Sequence, residues 1–181
     1  MNWTDFLGAC RTFVRTRPIR RWRPAPPRFM PRLKALEERT LLSTLTVTST
    51  ADSGPGTLRN TIAAAAPGDT IRFSHAIAGE TIYLTSGELA INENLQIVGP
   101  TQGMTIDGGS AGRVFAIGSA DTVSMANLTI IHGLADQGGG IDNAGTLSLS
   151  GCTLNANEAL GDTAATGLGG AIYSITRRAR A

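Results

Sequence analysis

The side chains that could do chemistry in this chain are few. Asp107, Asp121, Asp136 and Asp142 are the candidate carboxylates of its Gly/Asn-rich part, with Arg113 and His132 among them. Two carboxylates about 6.5–9.5 Å apart would suit inverting hydrolysis of a glycosidic bond. An arginine base beside carboxylates that hold Ca²⁺ would suit a lyase. Each residue also has a plainer reading. Asp107 stands before Gly108-Gly109, where an aspartate binds its own turn backbone. His132 ends a candidate strand and reads as a surface residue. Asp121, Asp136 and Asp142 fall in polar loops where solvation is the default, and Arg113 would cross a loop. The plainer readings prevail, so no catalytic, cofactor-binding or metal-ligating residue is assigned.

Other chemistry is excluded by spacing. Cys10 and Cys152 are the only cysteines and give neither a disulfide framework nor a metal motif. Gly138-Gly139-Gly140 is followed by no Lys-Ser/Thr and no helix, so it is no phosphate loop. No EF-hand or nonapeptide Ca²⁺ pattern occurs. Cys152 reads as a small buried apolar residue. No cofactor is expected.

The elements that must position these residues follow from composition. Glycine numbers 22, and all but Gly8 lie beyond residue 40. Residues 1–40 carry ten Lys or Arg against three acids, whereas residues 41–174 carry three Arg against eleven acids. This describes a basic arm on an acidic body. The body lacks the positive face that phosphates require, so it is not expected to bind nucleic acid. No run of about 18 apolar residues is present, so no transmembrane helix is expected.

Three regions result. Residues 1–44 form an Arg/Pro-rich lead, in which Pro18, Pro24, Pro26, Pro27 and Pro31 block a long helix. It is expected to be disordered, because it cannot bury enough apolar surface to offset its ordering entropy. Residues 45–174 form the body, and 175–181 an atypical basic tail with Arg177, Arg178 and Arg180. That tail breaks the composition before it, as a frameshift or truncated gene would, and the body is expected to lack a C-terminal closure.

The body opens with a strand at Leu45–Ser49 and a turn cluster at Asp52-Ser53-Gly54-Pro55-Gly56. Thr57 then stands as N-cap of a short helix reaching Ala65, with Leu58, Ile62 and Ala65 on one face. Arg59 on that helix is expected to bond backbone rather than a ligand. No convincing helix follows. Candidate strands are 70–73, 81–84, 89–91, 95–98, 104–106, 114–117, 123–125, 128–131, 147–149, 152–154 and 171–173. Each is too short to stand alone, so a fold must stack them.

Gly118–Ile130 aligns without gaps on Asp142–Leu154. Ala120/Ala144, Thr122/Thr146, Ser124/Ser148 and Thr129/Thr153 are identical, and Val123/Leu147, Met125/Leu149, Leu128/Cys152 and Ile130/Leu154 are apolar. Gly139-Gly140-Ile141 echoes Gly170-Ala171-Ile172 at a longer offset. Such spacings suit one turn of a solenoid, with loops of variable length leaving one face. The expected fold is all-β: a right-handed parallel β-helix whose interior is small and aliphatic. Thr and Ser would face outward, Gly would take the corners, and the early strand and helix would cap the first coil.

Leu36-Glu37-Glu38-Arg39-Thr40-Leu41-Leu42-Ser43 resembles the LEPR-xLL motif of large secreted bacterial surface proteins, with Glu38 in place of its Pro. Val47–Ile62 resembles the N-terminal segment of β-helix proteins with the CSLREA motif, matching at Thr57-Leu58-Arg59 and Ile62 and departing at Asn60 and Thr61. Gly138–Ile141 and Gly169–Ile172 are similar to the GGAI element of polymorphic outer-membrane proteins, and Leu154-Asn155-Ala156-Asn157 to their FxxN. These resemblances imply an exported, outer-membrane or cell-surface protein of adhesive or structural use, without catalytic residues. A polysaccharide or cell-surface component would be its partner. Thr105-Ile106-Asp107-Gly108-Gly109 resembles a segment of the pectin-lyase-like superfamily, which implies a second reading, a polysaccharide lyase or glycoside hydrolase.

Overall fold

Strands of three to five residues expose unpaired N–H and C=O groups along both edges, and those groups are costly to leave unmet. In the computed structural model, which describes residues 42–161 and 169–174, they are met by stacking. The chain winds into a β-solenoid of about four turns whose strand pairs are all parallel. This is the β-helix read from the repeat, and a right-handed coil is what a parallel crossover favours.

Numbered along the chain, one sheet holds β1 (Thr44–Val47), β2 (Thr70–Phe73), β5 (Leu95–Val98), β8 (Thr122–Ala126) and β12 (Thr146–Ser150). The second holds β3 (Thr81–Tyr83), β6 (Met104–Asp107), β9 (Leu128–Ile131) and β13 (Thr153–Asn155). The third holds β4 (Leu89–Ile91), β7 (Phe115–Ile117), β11 (Ile141–Asn143) and β15 (Ile172–Ser174). A two-stranded parallel pair, β10 (Leu134–Ala135) with β14 (Glu158–Ala159), is added where the loops lengthen.

Register keeps like side chains on like. Ile82, Ile106, Ile130 and Leu154 stack down the second sheet, and Leu89, Phe115, Ile141 and Ile172 down the third. All but Leu154 and Ile172 are buried. Burying each such side chain stabilises by about 1.5–3 kcal/mol. On the outside of the second sheet Thr81, Thr105, Thr129 and Thr153 form one ladder. The 24-residue alignment is the observed pairing of β8 with β12, and the longer echo is the pairing Ile141 with Ile172. The interior is less purely small-aliphatic than composition implied. Phe115 is fully buried, Phe73 is buried near the capped end, and Met104 and Met125 fill the coil.

The cap forms as expected, with slightly different limits. The helix, α1, spans Leu58–Ala64, and the Thr57 side chain accepts the Asn60 N–H. Leu58 and Ile62 are buried over the first coil. The first strand is Thr44–Val47 rather than Leu45–Ser49, because Thr48 and Ser49 turn their N–H groups to the Gly56 carbonyl. One further helical turn, the 3₁₀ segment His75–Ile77, was not foreseen. The short strands β10, β11 and β14 were not foreseen either.

In the last coil Leu147, Leu149, Cys152, Leu154 and Ile172 are only partly buried. Residues 1–41, with most of the expected disordered lead, Cys10 and most of the export-like motif, lie outside the described residues, as does the tail 175–181. The end of that lead is not disordered, since Thr44 already pairs in β1.

Candidate functional site

Loop length singles out one ridge of the solenoid. The connections from the second sheet to the third span residues 84–88, 108–114, 132–140 and 156–171, each longer than the one before. Within the last of these, 162–168 lie outside the described residues. Most other connections are short, down to the single residue Asn127 between β8 and β9. Asp107, Arg113, His132, Asp136 and Asp142 lie on this ridge or at its border. Asp121 does not: it sits in the corner between the third and first sheets, where its carbonyl accepts the Thr146 N–H.

Asp107 ends β6 and is buried. Its Oδ1 accepts the Gly109 N–H at 2.8 Å, which is the turn bond expected of it. The same oxygen lies 3.0 Å from Nδ1 of His132, one coil further on. His132 follows β9 at φ 52°, in left-handed geometry that few non-glycine residues adopt. Its side chain is 47% exposed, against 11% for Asp107. The imidazole is thus held through Nδ1, with about half of the side chain exposed. An oriented imidazole of this kind is one part of an acid–base device.

Arg113 is fully engaged. Nη1 lies 2.7 Å from Glu88 Oε2 and Nη2 3.4 Å from Asp142 Oδ2. Nε donates to the Gly138 carbonyl and Nη2 to that of Gln137. The guanidinium therefore clips the loops of three successive coils together, as the loop-crossing reading anticipated. Asp136 is exposed and contributes its carbonyl to the Gly161 N–H. A small cleft of about 70 Å³ lies beside these groups, lined by Leu84, Thr85, Gly87, Gly108, Ala111, Gly112 and Arg113. Among the described residues no group of three or more His, Cys, Asp or Glu is placed to hold a metal ion.

The glycine-rich segment serves close packing. A Cβ on Gly139 would run into the Glu158 and Gly133 carbonyls, and one on Gly140 into the Ala171 carbonyl and the Asn157 side chain. Asn157 fills the space thus left. It donates from Nδ2 to the Ile130 carbonyl at 2.9 Å and accepts the Gly133 N–H at 2.8 Å.

Three polar residues carry weight that local sequence did not reveal. Glu88 is one, as the partner of Arg113. Asp52 is another: it is buried, its Oδ1 accepts from Nε and Nη2 of Arg59, and its Oδ2 accepts from Thr85 N, Thr85 Oγ1 and Ser86 N. Arg59 in turn donates to the Glu88 and Gly87 carbonyls, the backbone role expected of it. Burial pushes the Asp52 carboxyl upward, but the hydrogen bonds from Ser86, Arg59 and Thr85 outweigh it and hold the group well below the usual carboxylate range. The third is Asp69, whose two oxygens accept the Ser43 and Ala66 N–H groups. Those backbone donors lower its carboxyl. The signal that could have found Glu88 is the coil offset: Glu88 and Arg113, like Asp107 and His132, lie 25 positions apart.

Comparison with models of protein families, with curated proteins and with solved structures finds no match for this chain.

Proposed function

We propose that this chain is an exported, cell-surface β-helix protein of adhesive or structural use, with a polysaccharide or cell-surface component as partner. One observation carries the non-enzymatic part. On the long-loop ridge Arg113 is spent on Glu88 and Asp142, and Asp107 on His132 and Gly109 N–H. Such pairing holds a display surface in shape, and it engages the three carboxylates Glu88, Asp107 and Asp142 as braces rather than as a free acid and base. The export part rests on the resemblance of Leu36–Ser43 and Val47–Ile62 to segments of secreted proteins. Cell fractionation of the producing organism tests it. The full-length product is expected in the surface or medium fraction, and its confinement to the cytoplasm would overturn the reading.

A second reading is a polysaccharide-active enzyme, favoured by the oriented Asp107–His132 pair. Cleavage of a uronic-acid polymer that is lost in Asp107→Ala, with the variant still folded, would establish it. Absence of cleavage across a panel of such polymers leaves the non-enzymatic reading standing.

A further inference from the structure

We draw no further inference here: the strongest candidate, the apolar end of the last coil where Leu147, Leu149, Leu154 and Ile172 are only partly buried, carries nothing because nothing in the structure shows what covers it.

Discussion

Asp52 joins the cap to the first coil through five hydrogen bonds. Removing one member of a buried pair leaves the other uncompensated. Arg59 retains 25% exposure, so its stranded charge is partly solvated. Asp52→Ala is therefore expected to destabilise by about 2 kcal/mol, below the loss for a fully buried pair. Urea unfolding followed by circular dichroism would measure it, and an unchanged midpoint would refute the assignment. The same residue gives a pH dependence. Its carboxyl titrates lower when folded than when unfolded. Unfolding therefore takes up a proton once the pH falls below the ordinary aspartate value of about 4. The contribution is complete above that pH and is lost as acid protonates the folded group. Asp69 acts in the same direction. The melting temperature should fall between pH 6 and pH 3, and fall less steeply in Asp52→Asn.

Asn157 poses the same question without charge. Its amide satisfies one carbonyl and one N–H in the neighbouring coil. Alanine would leave both unmet, at about 1–3 kcal/mol for each group that water cannot reach. Asn157→Ala should lower the melting temperature clearly, whereas an alanine at exposed Asp136 should not. Equal melts for the two would show that the bridge does not matter.

At the scale of elements, the corner between the first and second sheets repeats with the coil. Gly79, Gly103, Asn127 and Gly151 stand 24 positions apart, and all have positive φ, from 56° to 81°. Glycine adopts this geometry freely, and asparagine tolerates it better than other residues. Asn127→Gly should leave stability within about 0.5 kcal/mol, while Asn127→Val should cost about 1–2 kcal/mol, since its Cβ branch crowds the left-handed corner. Thermal melts of the two variants would separate them, and a valine variant as stable as the parent would contradict the corner argument. The capping helix depends on Thr57 in a similar local way. Its hydroxyl accepts the Asn60 N–H and donates to the Gly54 carbonyl, so it secures both the helix and the turn before it.

For the solenoid as a whole, stability is distributed along one axis. Each coil packs on its neighbours only, so a coil's worth depends on how many neighbours it has. Ile106 lies in the second coil with paired strands on both sides and is fully buried. Leu149 lies in the last and is only partly buried. Ile106→Ala should cost about 2–5 kcal/mol, as buried truncations do, and Leu149→Ala clearly less. Denaturant unfolding of both variants measures the gradient; equal losses would mean that the last coil is covered in solution. Among the described residues β12, β13 and β15 have a strand partner on one side only, which predicts a tendency to associate, because unpaired strand edges template further pairing. Light scattering as a function of protein concentration would register it.

Much of the architecture is legible in the sequence because a solenoid is a local code. Inward and outward positions alternate within a strand, and the coil length is written in the 24-residue alignment of Gly118–Ile130 on Asp142–Leu154. Both depend only on spacing along the chain, as do the N-cap at Thr57 and the turn bond of Asp107. What tertiary structure alone decided is which polar residues face each other across coils. Glu88 meets Arg113, His132 meets Asp107, and Asp52 meets Thr85 and Ser86. The coil offset brings such residues into range, but it does not single out one partner, because loop lengths vary from coil to coil. The same dependence explains why β10 and β14 escaped notice: two-residue strands have no periodicity, and they exist only because successive long loops lie side by side. The candidate residues were visible as types, but whether they would be free reagents or braces was decided by the stacking that pairs them.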